Sequence, residues 1–332
     1  MLKVAILDDY AGVARDCADW GRLKGTAEIT VFGRHLAEEE AADLLKPFDV
    51  LCTLRERMAL PRTLLARLPN LKLILIVGPA LANLDLVAAT DLGVVVSSAG
   101  HSGGADFARI FNATPELTWG LMIATVRHIA QEDRALREGR WQSTLGLILA
   151  GRTLGLLGLG RIGRRMAQYG RAFEMNLIAW SQNLTAEAAE AAGVRRVEKD
   201  ELFAQADVLS VHLVLSARSR GLVGARELSL MKPGSYLVNT SRGPIVDEAA
   251  LITALVHGPL AGAGLDTFEQ EPLPPDHPFR RLPNVVVTPH LGYATRETLE
   301  GFYGDMPDAI EAFARGAPAR VTNPEVLERR RT

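Results

Sequence analysis

Six consecutive residues, Gly158-Leu159-Gly160-Arg161-Ile162-Gly163, constrain the fold of this chain more than any other feature. They follow the apolar run Thr153-Leu154-Gly155-Leu156-Leu157 and open a helical pattern over residues 162–173. A buried strand that turns through G-x-G-x-x-G into a helix is the context required of a dinucleotide-binding turn. The first glycine permits the tight turn and the second lets a pyrophosphate approach the backbone. The third lets helix and strand pack closely, and the helix N-terminus favours the phosphate charge. A glycine-rich loop alone would be weak evidence, whereas strand, turn and helix in sequence are specific.

The acid expected at the end of the next strand, where it would bind the adenosine ribose, is missing. Ser181 stands there, followed by Gln182 and Asn183. Neither the carboxylate that favours NAD nor an arginine for a 2′-phosphate is present, so NAD and NADP both stay open. Arg161 is placed to approach the phosphates, although a solvated surface arginine is equally ordinary.

Short β-like runs alternate with helical patterns along most of the chain, the signature of parallel sheets covered by helices on both faces. A first block has strands at 3–7, 28–32, 50–53, 72–77 and 94–97, with a helix at 62–68, and resembles a small flavodoxin-like sheet. A loop rich in glycine and serine then leads to Thr114-Pro115-Glu116, which announces a helix running to about residue 138, with Thr114 as the capping hydroxyl. At that length the helix is expected to join two domains. The second block has strands at 153–157, 177–180, 208–213, 235–239, 261–266 and 285–288, with helices at 162–173, 185–192, 225–231 and 248–257. A last helical stretch, 296–315, is expected to return to the first block. The fold class is therefore α/β, with two doubly wound parallel-sheet domains: a substrate domain of residues 1–99 plus 293–332, and a Rossmann NAD(P)-binding domain of residues 100–292.

Composition narrows the function. A chain of 332 residues, 48% hydrophobic and carrying a formal charge of -2, has the core of a globular enzyme and lacks the positive field that nucleic acid or an anionic membrane would need. Neither partner is expected, nor is a bound metal, and a small-molecule site is the default. Cys17 and Cys52 stand alone, which reads as reduced structural thiols. The N-terminus runs directly into a strand pattern, and the longest apolar run, residues 73–77, is too short for a membrane span. Together these features lead to the expectation of a cytoplasmic protein.

Three later segments each end a predicted strand, where an open α/β sheet presents its ligand crevice. They are Asn239-Thr240-Ser241-Arg242-Gly243, Gly264-Leu265-Asp266-Thr267-Phe268-Glu269-Gln270-Glu271-Pro272 and Thr288-Pro289-His290-Leu291-Gly292. Taken singly, Arg242 reads as a surface ion pair, Glu271 as a loop acid and His290 as a satisfied turn histidine. Taken together behind a dinucleotide turn they acquire a different meaning. An arginine fork grips a carboxylate, a histidine moves a proton near neutral pH, and a carboxylate favours the charged imidazolium. That set suits the reduction of a 2-keto acid.

With these segments in order, the sequence resembles the D-isomer-specific 2-hydroxyacid dehydrogenase family over nearly its whole length. The resemblance rests on residues 155–163, on the stretch from Met231-Lys232-Pro233-Gly234 to Arg242-Gly243-Pro244-Ile245-Val246-Asp247-Glu248, and on the Asp266 and His290 segments. It implies hydride transfer between NAD or NADP and C2 of a small 2-hydroxy or 2-keto acid. Arg242 would bind substrate, His290 would be the acid/base, and Glu271, not Glu269, its carboxylate partner. Asp266 would accept from the nicotinamide carboxamide. Cofactor contacts are expected from Gly158, Gly160, Arg161, Ile162, Gly163, Ser181, His212, Thr240 and Asp266. Val77-Gly78-Pro79-Ala80-Leu81-Ala82-Asn83 matches the substrate loop, so Gly78, Pro79 and Ala80 join Arg242 and His290 as substrate-binding candidates. Pro79 removes one amide donor from that loop.

Arg55 and Arg57 read as a solvated pair or as charge for the substrate, Trp141 as a packing residue and His101 as exposed. The resemblance further implies a homodimer formed through the cofactor domain, for which Leu117, Trp119, Leu121 and Met122 offer an apolar face that core packing would explain equally well. Two rival readings remain: a nucleotide-sensing binding protein with weak catalysis, and a formate- or phosphite-type dehydrogenase on the same scaffold.

Overall fold

The structure is a computed structural model that describes residues 1–55, 57–77, 83–99 and 107–329. It divides into two compact units, one of Met1–Ile110 with Thr295–Thr332 and one of Phe111–Ala294. The substrate-loop candidates Gly78, Pro79 and Ala80, and also His101, lie outside the described residues.

Among the described residues the first unit holds β1 (Leu2–Ile6), β2 (Ala27–Val31), β3 (Val50–Cys52), β4 (Leu73–Val77) and β5 (Val95–Ala99). They pair in parallel in the order β2-β1-β3-β4-β5, which is flavodoxin-like. β4 reads Leu-Ile-Leu-Ile-Val and is buried throughout, because helices cover both faces of a parallel sheet and leave no side for polar residues. The C-terminal segment closes on β5 through the buried Asn323. Its Oδ1 accepts from Val96 N–H at 2.8 Å, and its Nδ2 donates to Thr90 Oγ1 and to the Val94 carbonyl, each at 3.0 Å. Cys17 and Cys52 are buried free thiols.

The second unit holds β6 (Thr153–Leu157), β7 (Asn176–Trp180), β8 (Arg195–Arg196), β9 (Val208–Val211), β10 (Ser235–Asn239), β11 (Leu260–Leu265) and β12 (Val285–Val287). All are parallel, in the order β12-β11-β10-β9-β6-β7-β8. Strand order reverses between β6 and β9, the switch point at which such sheets bind dinucleotides. β8 is a two-residue edge strand with too little apolar pattern to be read from the sequence.

The long helix expected over residues 114–138 is two helices, Ala113–Val126 and Ile129–Arg137, separated at His128, whose φ is +55°. The break has a tertiary cause. Leu147 N–H donates to the Val126 carbonyl at 2.9 Å, and the backbone of Gly146 lies so close to Arg127 that a Cβ there would meet its Nε at 2.7 Å. The irregular segment around Leu147 thus takes the carbonyl that a continuing helix would have used. The first helix lies wholly within the second unit rather than joining the two. It packs against Gly264 of β11, where a Cβ would meet Leu121 Cγ and Thr125 Oγ1, each at 2.8 Å. Thr114 is not its cap. Asn112 holds that position, and Thr114 Oγ1 donates to the Gly292 carbonyl at 2.8 Å. The final stretch is likewise two helices, Arg296–Gly304 and Met306–Ala314. They are interrupted at the buried Asp305, and Pro307 sits in the first turn of the second, where its missing N–H costs nothing.

Candidate active site

Parallel register turns the sheet edge of the second unit into a row of site residues. Trp180 pairs with Leu157, Leu157 with Val211, Val211 with Asn239, Asn239 with Leu265, and Leu265 with Val287. The residues immediately after these are Ser181, Gly158, His212, Thr240, Asp266 and Thr288. They therefore emerge side by side at the C-terminal edge, although the sequence spreads them over more than a hundred positions.

At the glycine turn, Gly158 has φ +106°, and a Cβ there would lie 2.7 Å from the His212 carbonyl oxygen. A Cβ on Gly163 would lie 2.2 Å from the Gly158 carbonyl oxygen. These two positions admit only glycine, one by backbone conformation and closeness, the other by helix–turn packing. At Gly160 a Cβ would meet nothing within 4 Å. Gly160 is also the N-cap of helix Arg161–Ala172 and supplies no side-chain hydrogen bond to it. Open space facing unsatisfied helix N–H groups fits a pyrophosphate, so the residues present suit a bound dinucleotide. Arg161 lies with its guanidinium 3.9 Å from the Phe111 ring centroid, Ile162 is half-buried, and Ser181 follows β7 with the exposed Gln182 and Asn183 beyond it.

His212 Nε2 is 2.8 Å from Ser210 Oγ, and loss of solvent lowers its imidazole to about 3, so it is neutral at the turn. Thr240 is buried, with its hydroxyl 2.6 Å from that of Thr118. Arg242 is held by the buried Asn239 just before it. The Asn239 Oδ1 accepts from Ser241 N–H and its Nδ2 donates to the Arg242 carbonyl, each at 3.0 Å. Arg242 Nη1 donates to the Ser241 carbonyl at 2.7 Å.

Glu271 and His290, 19 positions apart, meet through Oε2 and Nδ1 at 2.6 Å. Glu271 Oε1 accepts from Phe268 N–H at 2.9 Å. Burial pushes the Glu271 carboxyl up. The His290 hydrogen bond and charge, the Phe268 N–H and the Arg242 charge outweigh it and leave the group below the usual carboxylate range. His290 itself has a left-handed backbone, φ +54°, and its N–H donates to the Asp266 carbonyl at 2.9 Å. Asp266 is fully buried. Its Oδ1 accepts from Thr288 Oγ1 at 2.6 Å and Leu291 N–H at 2.7 Å, and its Oδ2 from Gly292 N–H at 2.8 Å. Burial raises this carboxyl against those bonds and the nearby His290. The carboxylate read from the sequence as a cofactor ligand thus also organises the loop that carries the histidine.

The family profile described as "D-isomer specific 2-hydroxyacid dehydrogenase, NAD binding domain" matches residues 119–292. The chain is 38% identical over 275 residues to a glyoxylate reductase from Aeropyrum pernix, covering 80% of each chain. This chain is a member of the D-isomer specific 2-hydroxyacid dehydrogenase family. A D-3-phosphoglycerate dehydrogenase from Archaeoglobus fulgidus is 35% identical across 93% of this 2-hydroxyacid dehydrogenase, which spans 57% of that longer relative. The structure is similar to that of a phosphoglycerate oxidoreductase from Vibrio cholerae, with a TM-score of 0.87, 38% identity and coverage of 96% and 100% of the two chains. Membership makes the protein a nicotinamide-dependent oxidoreductase acting on 2-hydroxy acids, and its relatives favour neither the sensing nor the formate- or phosphite-type reading.

Several expectations for this dehydrogenase need correction. Trp141 is not a packing residue, being 82% exposed. Leu121 and Met122 are buried in the core of the second unit, which accounts for them by packing, while Leu117 and Trp119 are partly buried, Trp119 beside Tyr169 and Phe173. Arg57 lies over the Tyr10 ring, 4.8 Å from its centroid, in the first unit. Asn239 had no assigned role in the sequence. An Asx-type turn after a strand was its available signal. Among the described residues no helix is long and apolar enough to cross a membrane.

Proposed function

We propose that the protein catalyses reversible hydride transfer between NAD or NADP and C2 of a small D-2-hydroxy acid or 2-keto acid, of the glyoxylate, hydroxypyruvate or phosphoglycerate type, with Arg242, Glu271 and His290 as its catalytic residues. The observation that carries this reading is the 2.6 Å bond between His290 Nδ1 and Glu271 Oε2. It leaves Nε2 as the atom that exchanges a proton with substrate, while the carboxylate stabilises the imidazolium. Arg242 binds the substrate carboxylate through its planar fork and polarises the carbonyl. A bound nicotinamide supplies or accepts the hydride. Gly158, Gly160, Arg161, Ile162, Gly163, Ser181, His212 and Thr240 form its binding edge, and Asp266 both orders the His290 loop and meets the carboxamide. Gly78, Pro79 and Ala80 remain the substrate-loop candidates in this reading. The neutral Ser181-Gln182-Asn183 end of β7 accepts NAD and, lacking a repelling carboxylate, NADP as well.

The working form in this reading is a cytoplasmic homodimer built on the second unit. Trp141, Leu145 and Ile148 are 82%, 85% and 76% exposed, on a segment fastened rather than loose. Glu132 accepts from Thr144 Oγ1 at 2.6 Å, from Ser143 Oγ at 2.8 Å and from Ser143 N–H at 3.1 Å, and these bonds hold its carboxyl down to about 2. A fixed strap that presents large apolar side chains to water suits a protein interface.

The decisive experiment is a spectrophotometric screen of the purified protein with NADH and NADPH against glyoxylate, hydroxypyruvate, pyruvate and phosphohydroxypyruvate and, in the oxidising direction, with NAD⁺ and NADP⁺ against formate. Turnover of a 2-keto acid supports the proposal. Turnover of formate alone, or of nothing at all despite cofactor binding, would overturn it.

A further inference from the structure

The second unit contains another histidine–carboxylate pair that none of these roles uses. His277 Nε2 lies 3.2 Å from Glu248 Oε2, and the side chains are only 17% and 15% exposed. His277 Nδ1 accepts from Phe279 N–H at 3.3 Å, so the ring proton sits on Nε2 and points at Glu248. The other Glu248 oxygen, Oε1, accepts from Glu269 N–H at 2.7 Å.

An acid in the first turn of a helix is ordinary, since the helix dipole favours it. That does not explain why Glu248 reaches off helix Glu248–Val256 to a backbone amide in the Asp266–Glu271 loop. The amide it takes is informative. Glu269 N–H and the Phe268 carbonyl belong to one rigid peptide plane, and Gly243 packs on that same plane: a Cβ on Gly243 would lie 2.0 Å from the Phe268 carbonyl carbon and 2.5 Å from Glu269 N. The residue before Gly243 is Arg242. The preceding amide, Phe268 N–H, goes to Glu271 Oε1 at 2.9 Å, and Glu271 gives its second oxygen to His290. One peptide plane is therefore pressed by the arginine loop on one side, tethered by Glu248 through its N–H, and followed within three residues by the catalytic carboxylate.

We propose that Glu248 and His277 are positioning residues that clamp the Phe268–Glu269 peptide and thereby hold Arg242, Glu271 and His290 in one frame. The proposal rests on the catalytic reading given above. His277 engages the second oxygen of Glu248 and so keeps the carboxylate in the single orientation that reaches Glu269. Without that carboxylate the Glu269 amide, which lies on an exposed residue, turns to water, and the plane is no longer held in one orientation. Glu271 then meets His290 less well, and Arg242 moves with Gly243. The charged groups facing the dyad are Asp266 beside His290 and Arg242 beside Glu271, and neither is altered by changes at Glu248 or His277.

The test compares Glu248→Gln and His277→Gln with Glu271→Gln and His290→Ala in steady-state 2-keto acid reduction across pH, together with cofactor dissociation constants from fluorescence and melting temperatures. At Glu248→Gln one amide face no longer complements both of its donors. The expected result is a fall of about tenfold in kcat with a raised KM, as misplacement of catalytic groups produces. The alkaline limb of the profile moves to lower pH, because a loosened Glu271 supports the imidazolium less, and cofactor affinity stays as in the parent. The double variant Glu248→Gln/Glu271→Gln is no slower than Glu271→Gln alone, since the two act on one interaction. An unchanged kcat and pH profile in both Glu248→Gln and His277→Gln overturns the proposal, as does a lowered melting temperature with an unmoved profile. If Glu271→Gln and His290→Ala themselves keep full activity, the catalytic reading fails and this inference falls with it.

Discussion

His290 and Asp266 are bound to each other through the backbone and again through the loop: the His290 N–H donates to the Asp266 carbonyl at 2.9 Å, while the Asp266 side chain accepts from Leu291 N–H at 2.7 Å and Gly292 N–H at 2.8 Å. The left-handed backbone of His290, φ +54°, is sustained by these bonds. Such strain persists only where the surroundings over-determine it. The imidazole is thereby aimed at Glu271 before any substrate arrives.

Removing the imidazole tests this arrangement directly. His290→Ala is expected to bind cofactor normally and to lose a factor of about 10² to 10⁴ in 2-keto acid reduction, the usual contribution of a positioned proton donor. Initial rates with fluorescence titration of the cofactor check both halves. Full activity would remove His290 from the mechanism.

Arg242 is expected to reveal itself in substrate affinity. A charge-assisted hydrogen bond contributes about 1.5–3 kcal/mol, so Arg242→Ala should lower kcat/KM by about 10- to 100-fold, chiefly through KM. Arg242→Lys should restore little, because a single ammonium lacks the planar fork. Full rescue by lysine would show that only charge is needed there.

Gly158→Ala should damage the cofactor turn. The position has φ +106°, and the new Cβ would lie 2.7 Å from the His212 carbonyl oxygen. Overpacking and a forbidden backbone together cost about 1–3 kcal/mol, so both the melting temperature and the affinity for NADH should fall. Gly160→Ala, whose Cβ meets no protein atom within 4 Å, should fold normally and weaken only cofactor binding. The pair of variants separates turn geometry from ligand approach.

His212 makes stability depend on pH in a predictable direction. Its folded-state value, lowered to about 3 by desolvation, lies below the free-histidine value of about 6.5. The folded protein therefore binds fewer protons than the unfolded chain between those values. Its contribution is fully present above about pH 6.5 and is lost as pH falls, by at most on the order of 1 kcal/mol per pH unit. The depressed Glu271 carboxyl acts in the same direction only below about pH 4.3, its unfolded value. Urea midpoints between pH 7 and 5 read this slope against the opposite contribution of the buried Asp266 carboxyl, which burial raises, and His212→Asn should remove the histidine's share. An equal slope in the variant would assign the pH dependence to other groups.

The strands were largely legible. β6 and β10 fall where the apolar runs Thr153–Leu157 and Ser235–Asn239 place them, because a strand buried on both faces leaves a contiguous hydrophobic record. Helix continuity was not legible across His128 or Asp305. The decisive partners, Leu147 N–H for the Val126 carbonyl among them, are remote in sequence. The same holds for Trp141, whose exposure no local pattern announces.

The sequence alone determined the alternation of strand and helix, the glycine turn, and the presence of Arg242, Glu271 and His290 after strands, since each is written in residue types and short spacings. Only the tertiary structure decided that the buried Asp266 also ties down the His290 loop through Leu291 and Gly292, and that Glu248 pairs with His277 and reaches the Glu269 amide. The physical reason is register. Parallel pairing aligns Leu157, Val211, Asn239, Leu265 and Val287 in one row, and that alignment depends on backbone hydrogen bonds between strands, which no single stretch of sequence contains.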